Sequence, residues 1–135
     1  MRFMMIMYPG QKAETGALPD DKVIAQMMKY NEELTKAGVL LALDGLQPSA
    51  KGARIRASNG KRTVVDGPFS EAKELIGGYW LIQVRSKEEA IEWASRAPLA
   101  DDEMIELRQI YEMTDFSPEV QQLAAPVGDA LASRK

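Results

Sequence analysis

Hydrophobic and polar positions divide the chain into alternating strand-like and helix-like segments. Short apolar or alternating runs predict strands over residues 2–8, 39–43, 79–84 and 104–111. Apolar residues at helical spacing predict helices over residues 20–37 and 86–97. The resulting order is β-α-β-β-α-β, which is the ferredoxin-like arrangement of an α+β protein.

Both predicted helices carry recognisable end signals. Asp20 stands near the N-cap of the first helix and Gly38 at its C-terminal end. The stripe predicted to be buried on this helix is Val23, Met27, Tyr30, Leu34 and Ala37. Ser86 and Glu89 form a capping box for the second helix, which Pro98 ends. Residues 11–18, before the first helix, are predicted to be a polar loop.

Two further elements extend this core. Asn59-Gly60 separates two strand-like runs, residues 53–58 and 61–65, and predicts a β-hairpin inserted between the second and third core strands. Ser117-Pro118 opens a tail helix, which Pro126 is predicted to kink or divide. The apolar residues of this tail are Val120, Leu123, Ala124, Val127 and Leu131.

Length and burial predict one domain over residues 1–135, with a core at about 2–113 and a helical tail at 117–133. Residues 2–8 are apolar on both faces, so this strand is expected at the centre of a sheet that is covered on both sides. The two core helices cover only one face of a ferredoxin-like sheet. We therefore expect a second subunit on the other face, which makes a homodimeric α/β barrel.

The composition of the chain excludes several kinds of catalytic group and metal site. The chain has no cysteine and no histidine, so thiol nucleophiles, zinc–thiolate sites and imidazole bases are excluded. The net charge is −3 without a basic stripe, which disfavours nucleic acid as a partner. No run reaches the length of a membrane span, and residues 1–8 are too short for a signal-peptide core. We expect a soluble, cytoplasmic protein that uses no cofactor.

Most of the unusual chemistry lies in residues 64–84. Asp66-Gly67-Pro68 predicts a sharp turn, and Glu71, Lys73 and Glu74 follow it as a short charged run. Gly77-Gly78, at the start of the next strand, indicates a bulge or a close approach by another backbone.

These patterns support two functional hypotheses. In the first, the protein binds a small molecule in a cleft, with Asp66 as a general base and Lys73 or an arginine stabilising negative charge. The expected reaction is a proton abstraction, elimination or isomerisation. The residues expected to contact the substrate are Asp44, Arg56, Glu71 and Arg108.

In the second hypothesis, the same charged residues make structural bonds within a non-catalytic dimeric module that regulates or binds another protein. Asp66 would then accept amides of its own turn, and Lys73 would pair with Glu71 or Glu74. Asp44, Asp66, Glu71 and Glu74 could together offer oxygen ligands to a hard cation, but their spacing matches no known metal loop. No metal site is predicted.

Asp66-Gly67-Pro68-Phe69, followed by Glu71, Lys73-Glu74 and Gly77-Gly78-Tyr79, resembles the motif of the DGPF family within the YCII-related superfamily of dimeric α/β-barrel proteins. The resemblance spans about residues 2–113 and implies a ferredoxin-like subunit, a homodimer and a cleft near the motif. It implies no particular reaction. The chain departs from the motif at four positions, which are Asp44, Ser70, Ala72 and Trp80.

A His-Asp pair is a proposed active site in YCII-type relatives, and other proteins with this barrel bind haem through an axial histidine. Because this chain has no histidine, only Asp66 matches the proposed pair, and the haem ligand is missing.

Overall fold

The computed structural model describes residues 1–71 and 74–134, which form six strands, four α-helices and short 3₁₀ turns. The strands are β1 (Arg2–Tyr8), β2 (Leu40–Gly45), β3 (Ala53–Ser58), β4 (Lys61–Asp66), β5 (Gly78–Gln83) and β6 (Met104–Gln109). The helices are α1 (Gln11–Glu14), α2 (Asp21–Lys36), α3 (Lys87–Ser95) and α4 (Pro118–Ala132).

Four strands form an antiparallel sheet in the order β2-β5-β1-β6. The apolar strand β1 lies at its centre, as its two-sided hydrophobicity predicts. The core strands and helices follow one another in the predicted order, so the mixed α+β architecture is confirmed and is consistent with a ferredoxin-like fold.

The core lies between one face of the sheet and the helices α2 and α3. The ring of Tyr30 in α2 packs edge-on against Trp80 of β5, with 5.8 Å between the ring centroids. The Tyr30 hydroxyl donates a 2.7 Å hydrogen bond to the backbone carbonyl of Trp93. Burial raises the pKa of Tyr30 to about 12, so this hydroxyl stays a donor at neutral pH. The buried apolar residues are Phe3, Met5, Met7, Tyr30, Leu34, Val39, Trp80, Ile82, Val84, Ala90 and Ala97.

Helix α2 begins as predicted but buries less than predicted. The Asp20 carboxylate accepts a 2.9 Å hydrogen bond from the amide of Val23 at the N-cap. Tyr30 and Leu34 are buried and Met27 is half-buried, whereas Val23 is exposed. Ala37 is exposed too, because the helix ends at Lys36 and the chain leaves its axis there.

The two-stranded hairpin β3–β4 turns at Asn59 and Gly60, both with positive φ, as the Asn-Gly signal predicts. Its strands pair only with each other, so its apolar side chains stay exposed. Ile55 and Val64, for example, are 66% and 64% exposed. The hairpin therefore projects from the four-stranded sheet.

One local prediction is wrong, and a second is wrong in part. Residues 11–14 of the expected polar loop form the short helix α1, whose last residue, Glu14, is held by hydrogen bonds to Ser49. Helix α4 continues unbroken through Pro126, so this proline does not divide it. Pro126 cannot bond to the carbonyl of Gln122, but Gln122 is exposed, so water can reach that carbonyl.

The sheet face opposite α2 and α3, which we call the open face, carries alternate residues of each strand. In β1 these are Met4, Ile6 and Tyr8, paired in register with Leu81 and Tyr79 of β5 and with Arg108 and Glu106 of β6. The chain exposes 10249 Å², whereas a compact 15.0 kDa monomer is expected to expose about 7,000 Å². Exposed large apolar side chains are found on the hairpin and on α4.

Candidate functional site

The Asp66-Gly67-Pro68 turn docks against the 3₁₀ turn Ser49–Lys51 that precedes the hairpin. Asp66 ends β4, opposite Ala53. The amide of Gly67 then donates a 3.0 Å hydrogen bond to the carbonyl of Gly52. A Cβ atom at residue 67 would overlap the backbone carbonyl of Ser49, so only glycine allows this approach.

Ser49 links this turn to helix α1. Its amide donates a 2.9 Å hydrogen bond to Glu14 Oε1, and its hydroxyl donates to Glu14 Oε2. The Ser49 hydroxyl also accepts a 3.0 Å hydrogen bond from the amide of Phe69. The Arg54 guanidinium lies 3.9 Å from the centroid of the Phe69 ring, in a cation–π contact. In the described residues, the motif thus holds the two ends of the hairpin together, and Ser49 attaches them to α1 through Glu14.

The Glu14–Ser49 contact predicts an acid-sensitive attachment. The hydrogen bonds from Ser49 lower the pKa of Glu14 in the folded chain. As pH falls through the acidic range, the unfolded chain therefore protonates the Glu14 carboxylate before the folded chain does. Glu14 contributes fully to the free energy of unfolding above its ordinary pKa, and this contribution is lost as pH falls through the lowered pKa of the folded chain. We expect Glu14→Gln to flatten the acid limb of a plot of unfolding free energy against pH. Glu32→Gln, an exposed position on α2, is the control and should leave that limb unchanged.

The glycine pair permits a close approach of three chain segments, as predicted. A Cβ atom on Gly77 would lie 2.5 Å from the Pro9 ring, and one on Gly78 would lie 2.8 Å from the carbonyl oxygen of Asp44. The ends of β1, β2 and β5 therefore meet at one corner of the domain.

At this corner, a cavity of about 330 Å³ opens between α2 and the sheet. Its lining residues with polar side chains include Asn31, Asp44, Tyr79 and Glu103. The Trp80 indole donates a 2.8 Å hydrogen bond to Asn31 Oδ1. The bond holds the indole ring in one orientation beside the cavity. The apolar side chains that line the cavity include Met7, Val23, Met27, Met28, Leu43 and Trp80.

Six residues are predicted to act on a substrate, and of the five that the structure describes, Asp44 alone is among the lining residues of this cavity. Its carboxylate accepts a 2.7 Å hydrogen bond from the Tyr79 hydroxyl. That hydrogen bond raises the pKa of Tyr79, because the carboxylate stabilises the protonated phenol.

Arg108 lies on the open face and bonds to its neighbour on the same face, as the two-residue spacing predicts. Its guanidinium donates a 3.2 Å hydrogen bond to Glu106, which also accepts a 3.4 Å hydrogen bond from the Tyr8 hydroxyl. Register places Glu106, Ile6, Tyr79 and Asp44 in one row across the four strands. The open face therefore carries a row with a carboxylate at each end.

The other predicted residues are not brought to the cavity. Asp66, Arg56 and Glu71 are exposed, and Lys73 lies outside the described residues. The Asp66 carboxylate accepts no hydrogen bond from residues 1–71 or 74–134, so the predicted capping of its own turn is absent there. Within the same residues, no three acidic side chains come close enough to hold a metal ion.

Sequence reasoning missed Asn31 and Trp80, which set the shape of the cavity. A signal was present for Asn31, which follows Met27 by four residues and so stands on the inner face of α2. Glu14 and Ser49 offered no comparable signal, since they are 35 residues apart and join only in the folded chain.

The fold and the cavity are those of an α+β protein with a ligand-sized corner pocket. The model of the YCII-related domain matches residues 1–114, and the chain belongs to that family. An uncharacterised protein of Rhizobium meliloti (strain 1021) is 35% identical over 75 residues, which are 56% of this chain and 60% of that protein. In the part of the chain that the structure describes, no helix has the length and apolarity to cross a bilayer.

Proposed function

We propose that this YCII-related protein is a homodimer that binds a compact, mostly apolar small molecule in the cavity between α2 and the sheet. The observation that carries the proposal is the cavity itself: it has about 330 Å³ of space, and its walls are mostly apolar. A pocket of this size with a few polar groups is typical of small-molecule sites.

The charge and the chemical type of the side chains that line the cavity restrict the class of ligand. The side chains of Asp44 and Tyr79 belong to the row on the open face, which leaves Glu103 as the acidic side chain on the cavity side, so a neutral or cationic molecule is favoured over an anion. Met7, Met27 and Met28 offer thioethers beside the indole of Trp80, and thioethers make favourable contacts with aromatic rings. A neutral or weakly basic aromatic compound fits these walls best.

The test uses the neutral fluorophore N-phenyl-1-naphthylamine and two matched variants. Val23 lines the cavity and is 42% exposed, whereas the next residue on α2, Ile24, is 38% exposed and is not among the lining residues. We expect Val23→Trp to fill the cavity and weaken the fluorophore's affinity at least about tenfold, a change of about 1.4 kcal/mol. Ile24→Trp should leave the affinity unchanged.

Two outcomes contradict the proposal. One is the absence of saturable binding by the unmodified chain. The other is equal affinity for the two tryptophan variants, which would place the fluorophore on another apolar surface.

The homodimer is supported by the open face. Its central residues, Met4, Ile6 and Leu81, are apolar and only half-buried. The excess exposed area of about 3,000 Å² is also larger than the roughly 800 Å² that each partner buries in a standard interface. Membership of the DGPF branch is part of the same proposal, and it is supported by the motif Asp66-Gly67-Pro68-Phe69.

Acid–base catalysis by Asp66 and Lys73, with Asp44, Arg56, Glu71 and Arg108 at the substrate, stays a prediction.

A second candidate function, a regulatory or protein-binding module, is favoured by the projecting hairpin. Ile55 and Val64, which pair across the hairpin, leave an apolar surface there that the cavity does not use. Retained partner binding by Val23→Trp, together with loss of fluorophore binding, would favour this second function.

A further inference from the structure

Helix α4 presents an apolar stripe that residues 1–71 and 74–134 leave exposed. Leu123, Val127 and Leu131 are 80%, 63% and 60% exposed. At 100° per residue these positions, with Val120, fall within a sector of about 80°, while Gln122 and Asp129 lie on the other side of the helix. The helix lies beyond residue 114, where the family match ends.

The base of α4 is nevertheless fixed to the domain. Glu112, just after β6, receives hydrogen bonds of 2.8 and 3.1 Å from the Arg2 guanidinium of β1. Phe116 stacks on Tyr111 with 5.1 Å between ring centroids, and Ser117 caps the helix at the amide of Val120. The helix thus has a fixed start, and its apolar stripe is exposed along its length.

Two copies of the apolar stripe match each other when they pair antiparallel with Val127 at the centre. Leu123 and Leu131 are each four residues from Val127, so two antiparallel copies centred there set each Leu123 against the partner's leucine at position 131. Opposite charges also meet at the ends of the pair, because Glu119 in the first turn of one helix comes beside Arg134 at the end of the other. Antiparallel pairing also opposes the two helix dipoles.

We propose that α4 pairs antiparallel with α4 of a second copy of this chain, with Val127 at the twofold axis. The charge of the helix argues against a lipid surface, because its polar face carries Glu119 and Asp129 and no basic residue precedes Arg134. Each copy covers the other's stripe, which accounts for part of the exposed area that exceeds a compact monomer's. The pairing is an extension of this chain beyond the family domain and does not depend on the ligand cavity.

The absence of cysteine from the chain makes a clean test available. Single-cysteine variants of the full chain are oxidised with copper–phenanthroline, and the covalent dimer is followed over time. We expect Val127→Cys to cross-link at least about tenfold faster than Gln122→Cys, because only the first places its sulfur at the axis, within disulfide reach of its copy. Both positions are exposed, so neither substitution should disturb folding.

A mixing experiment tests the register and direction. Leu123→Cys and Leu131→Cys, carrying tags of different mass, are mixed, allowed to exchange subunits and oxidised. We expect the mixed disulfide to form faster than either self-disulfide. Equal rates for Val127→Cys and Gln122→Cys would overturn the pairing, and a dominant Leu123→Cys self-disulfide would overturn its antiparallel direction. Since the stripe does not line the cavity, failure here is distinguishable from failure of ligand binding.

Discussion

Replacing Gly67 with alanine is expected to open the base of the hairpin β3–β4, at a cost of about 3 kcal/mol. The added Cβ would overlap the backbone carbonyl of Ser49, and a backbone atom cannot rotate away as a side chain can. The turn must shift, which breaks the hydrogen bonds from the amides of residue 67 and Phe69 to Gly52 and Ser49. An isolated two-stranded hairpin is only marginally stable, so its own ladder should weaken as well.

Hydrogen exchange measures this effect, because the amides of residue 67 and Phe69 report the docking directly. We expect their protection to fall by about two orders of magnitude, since each tenfold corresponds to about 1.4 kcal/mol. Gly45→Ala is the control: nothing lies within 4 Å of a Cβ atom at that position. Unchanged protection at Phe69 in the Gly67→Ala variant would show that the motif does not anchor the hairpin.

Replacing Leu81 with aspartate is expected to weaken the proposed dimer at least about 100-fold, which corresponds to about 2.7 kcal/mol. Leu81 is half-buried at the middle of the open face, between Met4 of β1 and Ala42 of β2. A second subunit seated on this face would have to desolvate the new carboxylate.

Sedimentation equilibrium across a range of concentrations gives the dimer dissociation constant, and circular dichroism checks the fold of each variant. Ile91→Asp is the matched control, because Ile91 is 46% exposed on α3 and so lies on the helical side of the sheet. A monomeric unmodified chain would contradict the dimer. Equal dissociation constants for the two aspartate variants would exclude the open face as its interface.

The fold could be predicted because its information is local. The apolar pattern of residues 2–8 identifies the central strand, and Asn59-Gly60 identifies the hairpin, since each signal is contained in a few adjacent residues. Alternation in residues 104–109 also indicates which side chains share a face, and the Glu106–Arg108 contact confirms it. The errors, at α1 and Pro126, fall where a distant contact or exposure to solvent decides the outcome.

The site was harder to predict because its geometry depends on residues far apart in the chain. Asn31 and Trp80 meet across 49 positions, and Ser49 reaches both Glu14 and Phe69. The chemically distinctive motif drew attention to Asp66, yet its best-defined role in the structure belongs to Gly67 and the amide of Phe69. A motif rich in turn residues indicates an unusual backbone path, and this does not distinguish catalysis from attachment.

The attachment of the hairpin has a consequence for how the loss of structure is observed. The chain's two tryptophans, Trp80 and Trp93, both pack in or against the core between the sheet and the helices, whereas every residue of β4 is exposed. The hairpin and the four-stranded sheet are separate sheets, so we expect them to open at different free energies. A melting curve followed by tryptophan fluorescence would record the sheet and overlook the hairpin, so a single midpoint from such a curve does not describe the whole chain.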